Sequence, residues 1–312
     1  LNLLIFLPFI IIFLILENFF KIKFRVEEIR SDRLGHFSQN VEVYLYELQE
    51  LKKNEFKFID FLFLNKFICN TFLLKLWKKK IIIFPRIFFY NFFLSLNYFT
   101  KIINIFFGKH YNFRINTLII RSNSDRKLTN LYLKYQQQIS LTKDELKRGY
   151  NELKYFNKDL NQNSKIVLLN IRDSEYLKQK LPDKDWSYHD FRNDNIFDFL
   201  PACNFITSKN YYVFRMGKIN EYKINNNNQK IIDYSFSKYK SDFLDVFLAY
   251  ICKFCFTTFG GFDGLTKIFR KKLIGLNNGN LAGLWDGKFF FHTFSHYYSI
   301  NKKKKFIYLR NF

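Results

Sequence analysis

The chain has 312 residues, is 48% hydrophobic, and carries 50 Lys and Arg against 27 Asp and Glu, a formal net charge of +23. That apolar content excludes global disorder, the length allows two domains, and four cysteines in so long a chain do not form a disulfide framework. The basic excess favours nucleic acid, an acidic membrane surface or phosphorylated substrates, although the accompanying wealth of Phe, Ile, Asn and Lys is the bias of AT-rich coding, which places Lys on solvated surface as well.

Residues 1–16 are apolar apart from Asn2 and Pro8, and a basic stretch, Lys21-Ile-Lys-Phe-Arg25, follows. A helix of that length spans about 24 Å, short of the ~30 Å hydrocarbon core. It reads as a hydrophobic helix over residues 1–20, an anchor or monotopic element with its basic flank at cytoplasmic headgroups. A strand then leads into the polar turn Arg30-Ser-Asp-Arg-Leu-Gly-His36, and a helix fits Ser38 to Lys52. Phe56 to Leu64 reads as a strand, Asn65 to Trp77 as a helix, Ile81 to Phe84 as a strand, and Phe88 to Phe107 as a very aromatic helix. Residues 121–164 turn polar, with exposed helices expected between Gln136 and Leu160. The expected domains are 21–160 and 161–312.

From Lys165 to Asn277 apolar runs end in polar or Gly-rich tips and helix-like segments follow. The runs are 166–171, 211–214, 231–233, 254–258 and 272–275. This is the rhythm of a parallel α/β sheet, whose ligands sit at the carboxyl ends of the strands. Arg172 and Arg215 stand at two such ends, where a guanidinium fork holds two phosphate oxygens. Asp173 beside Arg172 orients it or positions a hydroxyl, or the two merely cap the loop. Gly217 follows Arg215, and Thr257-Thr258-Phe259-Gly260-Gly261 offers hydroxyls and close backbone approach to a pyrophosphate. Neither G-x-G-x-x-G nor a Gly-Lys-Ser/Thr loop occurs, which argues against a dehydrogenase or a P-loop ATPase.

In the first domain Gly35-His36 lies between a strand and a helix. The imidazole there is a general base for an acceptor hydroxyl, a phosphate ligand, or a helix-entry residue bonded to backbone. Glu42 is a second candidate carboxylate further along the helix. Asp242 and Asp245 suit a helix first turn, and Cys252-Lys-Phe-Cys255 reads as buried structure. Asp183-Lys-Asp185 and His292-Thr-Phe-Ser-His296 lack the partners of a metal site, so no metal is expected.

Several blocks in order resemble a group of bacterial glycosyltransferases found with surface-polysaccharide genes. They are Arg33-Leu-Gly-His-Phe-Ser-Gln-Asn40 with Glu42, Asn170-Ile-Arg-Asp-Ser-Glu-Tyr176, Phe191-Arg-Asn193, Tyr212-Val-Phe-Arg-Met-Gly217, Ile232-Asp-Tyr234, Lys240-Ser-Asp-Phe-Leu-Asp245 and Cys252-Lys-Phe254. That group is distantly similar to fucosyltransferase-like GT-B enzymes. The resemblance implies two Rossmann-like α/β domains in a GT-B-like arrangement, with no cofactor. By that likeness Arg172 is the donor-phosphate arginine, and with the strand-end chemistry it points to a nucleotide-sugar donor bound through Arg172, Arg215, Gly217, Thr257, Thr258, Gly260 and Gly261, with Asp173 near the chemistry. The acceptor, a glycan or a lipid-linked one, would meet Gly35, His36, Asn40 and Glu42. It places the protein at the cytoplasmic side of the inner membrane, peripheral or held by the N-terminal helix. The chain departs from the pattern at Asn170, where the group has His, and at Phe259, which separates Thr from Gly. The rival expectations are a catalytically inactive membrane-associated binding protein of the same fold and a nucleic-acid-binding protein. No nucleic-acid recognition motif is present, so nucleic acid is not an expected partner.

Overall fold

The computed structural model describes residues 6–9, 11–12, 15–16, 22–51, 57–107, 115–118, 125–180, 182–183, 185–187, 190, 193–278, 290–294, 297–298 and 306–307. The chain divides into two compact units. Unit 1 holds residues 1–121 and 135–139, and unit 2 holds 122–134 and 140–312. The division near residue 140 moves the expected boundary at 160. The reason is local: Gly149 lies so close to Phe247 that a Cβ would stand 2.2 Å from the ring, which binds the helix of residues 143–153 to unit 2.

Unit 1 has a three-stranded parallel sheet ordered β2-β1-β3, from Ile22–Ile29 (β1), Lys57–Leu64 (β2) and Ile115–Leu118 (β3). Helix α1 (Leu34–Leu51) follows β1, and α2 (Thr71–Trp77) and α3 (Arg86–Phe107) follow β2. Arg25 and Asp60 are register partners on adjacent strands and form a two-pronged ion pair at 2.5 and 2.6 Å, with the Tyr44 hydroxyl donating to the same carboxylate. Burial and the Asp60 carboxylate push the Tyr44 phenol far above its ordinary pKa, against the opposing Arg25 guanidinium. Trp77 is fully buried and its indole N–H donates to the Phe37 carbonyl at 3.1 Å. Helix α1 begins at Leu34, not at Ser38. The Ser38 hydroxyl donates back to the Leu34 carbonyl at 2.7 Å instead of capping a helix start, so Gly35 and His36 belong to the first turn. The expected strand at 81–84 reduces to one bridge, Ile83 with Leu62. Of residues 1–20, the described ones (6–9, 11–12 and 15–16) are helical, and the remainder of the expected hydrophobic helix lies outside the described residues. Among the described residues no helix is long and apolar enough to cross a membrane.

Unit 2 carries six parallel strands ordered β6-β5-β4-β7-β8-β9. They are Lys165–Asn170 (β4), Tyr211–Arg215 (β5), Ile231–Ile232 (β6), Phe254–Thr257 (β7), Lys272–Asn278 (β8) and Phe290–Phe294 (β9). Numbered within the unit the order is 3-2-1-4-5-6, the doubly wound arrangement, with its switch point between β4 and β7. Strand β4 is buried at five of six positions, as a central parallel strand covered on both faces should be. Helix α4 (Asp125–Lys134) and α5 (Lys143–Leu153) precede the sheet. The expected helix from Gln136 starts only at Lys143, where Thr142 and Glu145 close a capping box. Helices α6 (Glu175–Lys180), α7 (Leu200–Ser208), α8 (Asp242–Ile251) and α9 (Asp263–Ile268) connect the strands. The five apolar runs of the sequence correspond to β4 through β8. Strand β9 was not anticipated. It pairs with β8 across a register irregularity between Gly275 and Asn278.

Ser241 caps α8 by accepting the Leu244 N–H, and the helix buries one carboxylate, Asp245, which accepts from the Tyr234 hydroxyl at 2.8 Å. Burial raises the Asp245 pKa to about 6, against which the Tyr234 bond works. A folded pKa above the unfolded one means stability present below about pH 4 and lost as pH rises through about 6. Asp245→Asn is therefore expected to gain on the parent by on the order of 2–3 kcal/mol between pH 4 and pH 7.5. Urea unfolding of both proteins at the two pH values checks this. A difference that does not move with pH would show that Asp245 titrates as an ordinary carboxylate.

Candidate functional site

The carboxyl ends of β4 and β7 meet at the switch point of unit 2. Asn170, the last residue of β4, is buried. Its side-chain N–H donates to Asp263 Oδ1 at 2.8 Å and to Thr257 Oγ1 at 3.3 Å. The Thr257 hydroxyl donates to the same Asp263 oxygen at 2.6 Å and accepts the Phe259 N–H at 2.9 Å. One residue on, the Arg172 N–H donates to Thr258 Oγ1 at 2.8 Å, and the Thr258 N–H donates to the Asn170 carbonyl at 3.2 Å. These bonds stitch the Asn170–Arg172 loop to the Thr257–Gly261 turn. The turn takes a left-handed residue at Phe259, with φ of 64°, a conformation that L side chains rarely adopt. At Gly260 a Cβ would stand 2.9 Å from the Asn170 amide nitrogen, so the turn packs directly onto Asn170. Asn170, at the position where the resembled group has His, thus holds two loops together with its amide.

Toward β5 the loops open a cleft of ≈370 Å³ whose lining includes Asp173, Asp190, Asn193, Asp194, Arg215 and Glu221. The Arg172 guanidinium donates to Asn193 Oδ1 at 2.5 Å, and Asn193 donates in turn to Asp190 at 2.8 Å. Asp173 accepts the N–H of Glu175 at 3.1 Å, starting α6, and that of Glu221 at 3.1 Å. Burial nevertheless raises the Asp173 pKa above its ordinary value, and the Arg215 guanidinium at 3.9 Å only partly offsets it. Burial likewise raises Asp194, which accepts from Asn277 at 3.0 Å.

Arg215 does not present an open fork. Its side chain is 1% exposed and ion-paired with Asp233 at 3.3 Å, and it donates to the Tyr222 carbonyl at 2.7 Å. Only Nε lacks a hydrogen-bond partner among the described residues. Arg215 therefore differs from the free phosphate ligand the sequence suggested. Burial gave it an internal carboxylate, and the one nitrogen without a hydrogen-bond partner, Nε, is itself buried. Gly217 holds φ of 146° with the Asn220 side chain where a Cβ would be, so its requirement is conformational.

The remaining candidates sit in unit 1. His36 keeps contact with solvent in the first turn of α1. Desolvation by its surroundings and the guanidiniums of Arg30 and Arg33 lower its pKa, favouring the neutral imidazole that a general base needs, and Asn40 hydrogen-bonds to it. Asn40 is itself buried, and the Gly35 carbonyl accepts from Ser38 at 3.1 Å. Glu42 is not a cleft carboxylate. It is fully buried, accepts from the Tyr46 hydroxyl, and accepts the Gln138 N–H at 3.3 Å, tying residues 135–139 to α1. On the helix its position faces inward, among buried residues 40–46.

Asp263, Asn193 and Asp233 are the residues that sequence reading passed over. Asp263 had a visible signal, an acidic residue in a helix first turn right after a Gly-Gly turn. The other two stood in the blocks Phe191–Asn193 and Ile232–Tyr234 without a role, because only chain folding brings them to Arg172 and Arg215. Cys252 and Cys255 are buried as expected, and burial pushes the Cys252 thiol up to about 12, far from a reactive thiolate. Of the expected histidine pair, His296 lies outside the described residues.

No family model and no curated protein matches the chain. Among solved structures, the E. coli ADP-heptose LPS heptosyltransferase II is similar over 88% of this chain and 91% of that chain, at 11% identity and a TM-score of 0.46. A likeness of that size says nothing about site or substrate, and the reading of this chain rests on its own residues.

Proposed function

We propose that this chain is a glycosyltransferase that moves a sugar from a nucleotide-sugar donor to a glycan or related acceptor. The observation that carries the reading is the stitched pair of loops at the switch point of unit 2, with Arg172 on one and Thr258 and Gly260 on the other. A diphosphate suits this end of the sheet, where backbone comes close and a guanidinium stands at the strand end. The neighbouring cleft has four carboxylates against Lys178 and Arg215, a lining that repels phosphate and accepts hydrogen bonds from hydroxyls. Together they divide a nucleotide sugar into a diphosphate part near Arg172 and a polyhydroxy part toward Asp173 and Glu221. The ordered sequence blocks from Arg33 to Phe254 support the same reading.

In this mechanism the Arg172 guanidinium stabilises negative charge developing on the leaving diphosphate without needing a metal ion, an electrostatic role fixed before reaction. His36, neutral at pH 7, takes the proton of the acceptor hydroxyl.

Arg172→Ala is expected to weaken nucleotide-sugar binding by about 10- to 100-fold, the loss of one charge-assisted contact pair. Titration calorimetry with UDP-, GDP-, ADP- and CMP-sugars measures it. Unchanged affinity for whichever donor binds would remove Arg172 from the site, and binding of none would remove the reading.

A further inference from the structure

Helix α3 is apolar on two opposite sides. At 100° per residue, Phe92, Phe93 and Leu96 share one side and are buried against β2 and its neighbours. Ile87, Leu94, Tyr98, Ile102 and Ile105 fall on the other side, where Ile87 is 84%, Tyr98 64% and Ile105 79% exposed. A helix that is hydrophobic all round is normally covered on both sides. The N-terminal helical residues pack on the flank between the two sides and add exposed apolar side chains of their own. Phe6 is buried edge-on against the Phe88 and Phe92 rings at 5.4 and 5.5 Å, while Phe9, Ile12 and Ile15 are exposed. Ile87, Tyr98, Ile102 and Ile105 share one side of α3 and are exposed, so the patch is more than a scatter of single residues.

Charge identifies what covers it. From Phe61 to Ser124 the sequence has ten Lys and Arg and no Asp or Glu. Lys101 lies on the bare side itself, with its ammonium 5.7 Å from the Tyr98 ring centre, and Lys78, Lys79 and Lys80 are exposed just before α3. Apolar side chains with Tyr and Lys among them, set in a stretch of purely positive charge, match the boundary between acyl chains and anionic headgroups. A folded protein partner of mixed charge does not explain a 64-residue stretch without one carboxylate. No described helix is long and apolar enough to span, so the fit is to an element lying in the interface.

We infer that the bare side of α3, with the N-terminal helical residues, is a docking surface for an anionic lipid bilayer. It lies in the plane of the membrane and does not cross it. This inference does not depend on the glycosyl-transfer reading.

The test is co-sedimentation of the full chain with phosphatidylcholine vesicles, with and without about a quarter phosphatidylglycerol, at low and high salt. Binding is expected to the anionic vesicles and to weaken with salt. Ile87→Glu/Ile105→Glu should reduce it about tenfold or more, and Lys101→Glu alone severalfold. Both changes are at exposed positions, and circular dichroism verifies the fold. Absence of vesicle binding overturns the inference, as does binding that the Ile87/Ile105 variant leaves unchanged. A dimer in light scattering that the same variant dissolves also overturns it, since the face would then belong to a second copy of the chain.

Discussion

Arg215→Ala is expected to destabilise unit 2 by about 3–5 kcal/mol, the cost of stranding one member of a buried ion pair. Asp233 is 8% exposed in its side chain and would keep the Ile224 N–H at 2.7 Å and the Ser235 hydroxyl at 2.9 Å, but no cation. The Tyr222 carbonyl would lose its donor, and the Phe236 ring the guanidinium that stands 5.5 Å from it. Arg215→Lys restores the charge without the planar fork, so it should recover only part of the loss. Urea unfolding followed by circular dichroism measures both. If Arg215→Ala costs under about 1 kcal/mol while nucleotide-sugar affinity collapses, Arg215 is a ligand group and the ion pair is incidental. If stability falls as expected and Arg215→Lys retains donor affinity, its work is to hold the β5–β6 loops that shape the cleft.

The second large effect concerns Asp263, expected to cost about 2–4 kcal/mol when changed to Ala. One carboxylate oxygen receives both the Asn170 amide and the Thr257 hydroxyl, and all three residues are buried. Removing the acceptor strands two donors where water cannot replace it, and buried unsatisfied groups carry their full desolvation cost. Asp263→Asn keeps one acceptor oxygen in place and should lose roughly half as much. Because Asp263 holds the turn that carries Thr258 and Gly260, donor affinity should fall along with stability. A variant that unfolds like the parent would mean the three-residue network contributes nothing net. One that loses stability but binds donor normally would detach the turn from the site.

Much of unit 2 was legible before folding. A parallel strand buried on both faces reads as a continuous apolar run, so β4 to β8 stood out, and the polar tips after them marked the ligand end of the sheet. The acidic first turn of Asp242 and Asp245 announced α8, whereas the Thr142–Glu145 box went unread and its helix was expected from Gln136. Where the reading slipped, a second local option won. Ser38 sits inside α1 with its hydroxyl bonded back to Leu34, and Glu42 is buried because that part of α1 is covered nearly all round.

What the amino-acid sequence determined by itself was the periodicity: which segments are strands, which end of the sheet carries chemistry, and that Arg172, Thr258 and Gly260 belong to that end. Which of those side chains are spent on the fold was decided only in three dimensions. Arg172 and Arg215 look equivalent as strand-end arginines. Tertiary structure paired Arg215 with Asp233, 18 residues on, and gave Arg172 a neutral amide 21 residues away. For the aromatic helix α3 the sequence left core and a lipid-facing side as equal alternatives, because an apolar residue carries no mark of whether a partner covers it. Burial and pairing depend on which distant segments meet, and local spacing holds no record of that.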